Sequence, residues 1–190
     1  MINNKDLITF FIESGVITKG NFVGKAGTNY SVETDLRNAF LKHASAERAA
    51  HLLYNYVCKY IENDVAFLGV PETGTLVSYY LNNAMCEVDG RDFVPNMLRS
   101  VPKEYQQSTN SIFTVLPIDT TQKYVLVEDD VVTGSTLCKY LKIAMDAGLN
   151  IVGVMAIFGR DSAASVNVLC SEYGIPYIEL INVKNIEGEI

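Results

Sequence analysis

The chain has 190 residues and a formal net charge of −7, long enough for one domain with a real core. An acidic balance excludes a sequence-independent grip on nucleic acid, which runs on excess Lys and Arg. No apolar run reaches the length of a membrane span and the opening Asn3-Asn4-Lys5-Asp6 carries no secretory leader, so a cytoplasmic protein is expected, with Cys58, Cys86, Cys138 and Cys170 as reduced thiols.

Residues 5–14 place Leu7, Ile8, Phe11 and Ile12 on one helical face that ends at Gly15. Residues 16–27 hold three glycines and read as turns and short extended pieces. A strand is expected over 32–36, with Arg37 after it. Over 45–61, Ala49, Leu52, Leu53, Tyr56, Val57 and Tyr60 recur at helical spacing, with Ser45 as the N-cap. His43 and His51 belong to no metal or nucleophile pattern and are expected on a helix surface. Residues 64–69 read as a short buried strand running into Val70-Pro71-Glu72-Thr73-Gly74, and a helix follows from about 75 to 85. Residues 89–110 are polar; a short strand is expected at 97–100 and a mobile loop over 101–111. A loop that long in a compact domain usually carries function.

The most informative stretch begins at Tyr124. Val125 to Val127 form an apolar run that reads as a buried parallel strand. Glu128, Asp129 and Asp130 make an acidic corner, Val131 and Val132 follow, and then come Thr133-Gly134-Ser135-Thr136. The period then changes: Leu137, Tyr140, Leu141 and Ala144 lie on one face of a helix that stops near Gly148. Residues 151–158 read as another apolar strand, ending at Gly159-Arg160-Asp161; 163–173 as a helix; 174–181 as a last strand after a turn. Strands alternating with helices imply a parallel sheet covered on both faces, with ligands bound beyond the carboxyl ends of its strands.

Three polar loops fall at such ends, and their chemistry is legible. Thr133 to Thr136 bring hydroxyls and amide N–H groups to a helix N-terminus, which favours an anion, and Gly134 lets the backbone approach it. Glu128 and Asp129 repel a phosphate but suit a polyol or a metal-bound sugar. Together they describe a grip for ribose 5-phosphate. The 69–74 loop is a second strand-to-helix corner whose amides face an anion. Arg99 and Lys103 lie in the polar loop, where cations that arrive with a diphosphate also close it off from water.

This arrangement resembles the signature of the type I phosphoribosyltransferases: an apolar strand, an acidic pair, two mostly apolar residues, then Thr-Gly and a small hydroxyl residue. The resemblance implies that Glu128 and Asp129 hold the ribose hydroxyls of 5-phosphoribosyl 1-diphosphate (PRPP), that Thr133, Gly134, Ser135 and Thr136 hold its 5-phosphate, and that Glu72, Thr73 and Gly74 contact its pyrophosphate. Within that family, Lys25-Ala-Gly27 followed by Asp35-Leu-Arg37 is similar to the orotate phosphoribosyltransferases, as are Arg99 and Lys103 to their mobile basic loop. By the same resemblance Lys25 reaches the phosphate end, Arg99, Lys103 and Asp129 serve catalysis, Arg160 grips the base carboxylate, and Val132 and Tyr30 complete the base pocket. The pattern also differs: Asp130 stands where an apolar residue is usual, Val132 where a hydroxyl is usual, Glu33 near the expected stacking aromatic, and Thr73 and Ser100 at positions often basic.

The expectation is therefore an α/β protein of the type I phosphoribosyltransferase fold. A central mostly parallel sheet carries helices on both faces, in one domain over 1–190 whose first 40 or so residues form a small hood. The resemblance implies orotate and PRPP as substrates, Mg²⁺ as cofactor with Asp129 helping mainly through the ribose hydroxyls, and a homodimer whose Lys103 loop acts across the interface. Two alternatives stay open: transfer to another base, or a PRPP-binding regulator without turnover.

Overall fold

The structure, a computed structural model, describes residues 4–23, 29–62, 64–103, 113–160 and 164–186. Its centre is a four-stranded parallel sheet in the order β3-β4-β5-β6, built from β3 (Val65–Gly69), β4 (Lys123–Val131), β5 (Asn150–Gly159) and β6 (Tyr177–Asn182). Alternate residues of these strands enter two different cores. Phe67, Val125, Val127, Met155 and Ile157 face one side and Leu68, Tyr124, Leu126, Val154 and Ala156 the other. Both faces are thus dry, which explains the near-continuous apolar runs. Each such Val or Leu contributes about 1.5–3 kcal/mol by leaving water.

The first face is covered by α1 (Asn4–Glu13), α2 (His43–Val57) and α3 (Thr73–Asp89). The second is covered by α4 (Ser135–Asp146) and α5 (Ala164–Tyr173), and a short α6 (Val183–Ile186) closes the described chain. Asn82 of α3 is buried and accepts from Phe67 N–H while donating to Phe67 C=O, both at 2.8 Å. That pair of bonds satisfies the backbone of β3 at the sheet edge.

Ahead of the sheet lies an antiparallel hairpin of β1 (Ile17–Val23) and β2 (Asn29–Thr34). Its register pairs Thr18 with Glu33 and Lys19 with Val32. Val32 is fully buried in the same core as α1, and Phe11 of α1 packs on Phe158 of β5 with ring centroids 5.5 Å apart.

Several boundaries differ from the sequence expectation. Residues 17–23 are a full strand rather than turns, because an edge ribbon of Thr, Lys and Asn shows no apolar alternation to read. The second strand ends at Thr34, not at 36: the Asp35 carboxylate accepts from Arg37 N–H at 3.1 Å and opens a 3₁₀ turn, Leu36–Phe40. Ser45 is no cap, since α2 begins at His43 after Lys42. Helix α3 begins two residues early, at Thr73. The expected strand at 97–100 is a single antiparallel bridge, Leu98 to Thr114, flanked by Arg99 N–H to Phe113 C=O at 2.8 Å and Val115 N–H to Met97 C=O at 2.9 Å. His43 and His51 do lie at the helix surface, beside Glu47 at 3.0 Å and Glu87 at 2.9 Å. All four cysteines are free thiols. Among the described residues no helix is long and apolar enough to cross a membrane.

Candidate active site

The acidic triplet is part of β4 rather than a corner after it. The strand runs on through Glu128, Asp129 and Asp130 to Val131, held by parallel pairing of Glu128 with Ala156 and Asp130 with Phe158. Pairing with a buried neighbour outweighs the poor strand propensity of three acids. The consequence is an alternation of environment. Glu128 is buried, while Asp129 and Asp130 are half-exposed.

Burial, reinforced by the neighbouring Asp129 and Asp130 carboxylates, pushes the Glu128 carboxyl up to about 9. One of its oxygens, Oε1, accepts from Asp129 N–H at 3.3 Å, and Oε2 is buried without a partner. Linkage follows directly. The unfolded chain releases this proton near pH 4.5 and the folded chain near 9. Between those values the folded state binds more protons, so the contribution is complete below 4.5 and lost as pH rises toward 9. Glu128→Gln should flatten the pH dependence of unfolding across that window, where one proton gives a slope of up to about 1.4 kcal/mol per pH unit. Denaturant midpoints of both proteins from pH 5 to 9 check it; parallel curves would refute the protonated carboxyl.

After Val131 the chain turns through Val132 and Thr133 into α4. Gly134 sits at φ 79°, and a Cβ there would meet Val166 Cγ2 at 2.5 Å. Both facts demand glycine. Ser165 Oγ of α5 donates to Thr133 C=O at 3.1 Å, and the Thr133 and Ser135 hydroxyls lie 3.1 Å apart. The N-cap residue of α4 is Gly134, and its first amide, Ser135 N–H, donates only weakly to Thr133 Oγ1 at 3.5 Å; these hydroxyls line a cavity of about 160 Å³ that Glu128 and Asp130 also border. An anion suits the loop end and hydroxyl groups suit the acid end.

The β3–α3 corner lies against this one. Val70 N–H donates to Val127 C=O at 2.8 Å, and a Cβ on Gly74 would meet the same oxygen at 2.6 Å. A Cβ on Gly69 would meet Gly74 C=O at 2.1 Å. Both glycines are therefore required by close packing. Glu72 is exposed, Thr73 half-buried, and the Pro71–Glu72 peptide is cis. Across a cleft of about 390 Å³, Pro71, Glu72 and Thr75 face Leu98, Arg99 and Ser100. Arg99 Nε donates to Thr114 C=O at 3.0 Å, which steadies its stem beside the cleft. Lys103 is exposed at the end of that segment.

The third corner holds Arg160, just past β5. Its Nη2 donates to Thr34 Oγ1 at 2.8 Å and to Asp130 Oδ2 at 3.3 Å, and Nη1 reaches Val32 C=O at 3.4 Å. Val132 is exposed in the turn after β4. Glu33 neighbours Thr34 on β2, so its side chain leaves by the opposite face, away from Arg160. Tyr30 lies on β2, but its side chain, and all of Lys25, fall outside the described residues.

The structure brings Glu128, Thr133, Gly134, Ser135 and Thr136 around one cavity, together with Asp130 rather than Asp129; Glu72 stands across the adjacent cleft from Arg99, with Thr73 and Gly74 following it at the start of α3; and Arg160 lies at the third corner. Asp130, Thr34 and Ser165 escaped the sequence reading as site residues. Asp130 carried a signal, a charge where an apolar side chain is usual; Thr34 and Ser165 carried none. Arg37 forks onto Asp35 at 2.7 and 2.9 Å; that bond, helped by the field of Asp129, raises its pKa.

No family model matches the chain. It is 22% identical over 181 residues to the orotate phosphoribosyltransferase of Bartonella quintana, covering 94% of this chain and 84% of the relative. Among solved structures, the orotate phosphoribosyltransferase of Francisella tularensis superposes with a TM-score of 0.76 at 18% identity, covering 98% of this chain and 86% of that one. The Mycobacterium tuberculosis orotate phosphoribosyltransferase in complex with PRPP superposes with a TM-score of 0.64 at 17% identity, covering 95% and 97%.

Proposed function

We propose that this chain, a type I phosphoribosyltransferase by fold and most like the orotate enzymes, transfers the phosphoribosyl group of PRPP to orotate, giving orotidine 5′-phosphate and pyrophosphate in pyrimidine nucleotide synthesis. The observation that carries it is the β4–α4 corner, where Glu128 and Asp130 border the same cavity as the hydroxyls and glycine at the start of α4.

In this reading Thr133, Gly134, Ser135 and Thr136 hold the 5-phosphate, and Glu128 and Asp129 the ribose hydroxyls. Glu72, Thr73 and Gly74 hold the pyrophosphate with Lys25, and Arg160, Val132 and Tyr30 hold the base. Positive charge develops on the ribose as the diphosphate departs, so the protein needs no strong nucleophile. Its work is to orient the two substrates and to meet the charge growing on the leaving group with Arg99 and Lys103. In this reading Asp129 supports the ribose at the moment of transfer.

Among the described residues no group of three His, Cys, Asp or Glu side chains is placed to hold a metal by itself. The Asp129 carboxylate is a hard oxygen donor at the sugar end, while the Glu128 carboxyl keeps its proton through neutral pH. One such donor would fit Mg²⁺ bound mainly by the substrate's own oxygens rather than in a protein cage. Bound there, Mg²⁺ supplies charge neutralisation to the diphosphate. We further read the protein as one domain with residues 1 to about 40 as a hood over the base, cytoplasmic, and a homodimer whose Lys103 loop completes the partner's site.

The test is a rate assay with PRPP, Mg²⁺ and a panel of bases, run on the parent protein and Arg160→Ala. Orotate should be consumed well ahead of uracil. Arg160→Ala should raise the orotate KM by one to two orders of magnitude, the value of a charged hydrogen bond of about 1.5–3 kcal/mol, and leave uracil nearly unaffected. Equal handling of the two bases by the parent protein would sink the orotate reading.

A further inference from the structure

Asp130 is the member of the acidic triplet that the reaction above leaves without a task. Its Oδ2 accepts from Thr34 Oγ1 at 2.5 Å and from Arg160 Nη2 at 3.3 Å. Arg160 and Asp130 expose only 14% and 23% of their side chains, so the pair is largely withdrawn from water. Asp130 Oδ1 is buried with no partner, bordering the cavity of the 133–137 loop. The end of β2, the last residue of the acidic run and the residue after β5 thus meet at this one carboxylate, and Arg160 also bonds Thr34 directly.

A carboxylate therefore already occupies the guanidinium assigned above to the carboxylate of the base. The two anions cannot both take the same donors, and each repels the other at short range where solvent is thin. A neutral pyrimidine ring meets no such competitor. We propose that Asp130 is a specificity-determining residue: an internal carboxylate that competes with the substrate carboxylate for Arg160 and so sets how strongly the pocket prefers a carboxylated pyrimidine to a plain one. This rests on the orotate reading.

The ion pair also has a structural role, because removing one partner leaves the other charge buried and uncompensated. Asp130→Asn keeps the shape and an acceptor for Thr34 but removes the charge. It should lose thermal stability when unliganded and regain it with orotate by a larger margin than the parent protein does. Its orotate KM should fall by about tenfold or more, the scale on which close charge pairs alter affinity. The uracil kcat/KM should change far less, so selectivity for orotate rises. Asp130→Ala should move the same way.

The decisive measurement is the orotate and uracil KM and kcat of the parent, Asp130→Asn and Asp130→Ala, with orotate-dependent thermal shift as a second readout. A lower orotate KM with enhanced orotate stabilisation in the variants is the expected result. An orotate KM unchanged or raised in both variants, with orotate still turned over, overturns the role of Asp130 and leaves the proposed reaction standing. Failure of the parent and both variants to use orotate, while another base is consumed, overturns the reaction and this inference together.

Discussion

Thr133→Glu should abolish measurable PRPP binding and leave the fold intact. Thr133 is exposed, and its structural tie is through its backbone oxygen, which any residue at that position offers to Ser165. Its hydroxyl instead lies with Ser135 at the start of α4, 3.1 Å from Ser135 Oγ and 3.5 Å from Ser135 N–H. A carboxylate there takes the helix amides for itself and faces the incoming 5-phosphate with like charge. Losing charge-assisted hydrogen bonds and gaining repulsion together should cost about three orders of magnitude in affinity or more. Gly134 is a poorer place for this test, since its positive φ and the contact with Val166 make any side chain a strain on the fold itself. Calorimetric titration with PRPP, beside a circular dichroism melt, is the measurement. Undiminished affinity in a folded Thr133→Glu protein would remove the phosphate from this loop.

Lys103→Ala should lower kcat far more than it weakens PRPP binding. The lysine is exposed before substrate arrives, so in the proposed reaction its value lies in meeting charge that appears as the diphosphate leaves. A contact made only in the transition state lowers kcat and kcat/KM together. A loss of about two to three orders of magnitude is the scale for one such donor. Steady-state kinetics with a separate PRPP titration distinguish this from a binding role. If the loop crosses a dimer interface, mixing Lys103→Ala with Asp129→Asn should restore activity, because one hybrid site then holds both intact residues. No recovery after subunit exchange would place the lysine in its own subunit's site.

What the sequence made legible were features whose signal is local. The β4–α4 corner declares itself because an apolar run, an acid pair and Thr133-Gly134-Ser135-Thr136 follow one another without interruption. The three later strands were readable because both faces of the sheet are dry. The length of β4 was not readable, because Glu128 to Asp130 resemble a loop until Ala156 and Phe158 are known to pair with them. The β1–β2 hairpin was missed in part because its buried apolar residues are few, chiefly Ile17 and Val32, and its exposed Thr, Lys and Asn side chains mask any alternation. The Thr34–Asp130–Arg160 cluster lay beyond any local pattern: three polar residues on three elements acquire their meaning only from tertiary packing.

That cluster bears on the order in which the molecule assembles. Thr34 and Arg160 are 126 residues apart, so the N-terminal hairpin leaves the ribosome long before the residue it must meet. A two-stranded ribbon by itself is marginal in water, and closing so long a chain segment is entropically slow to repay. The hairpin is therefore expected to dock after the parallel sheet and its helices, a result that amide exchange during refolding would check. Elements that join last are also those expected to detach first under native conditions. In the proposed reaction, reversible undocking of β2 would open the base pocket without a dedicated gate.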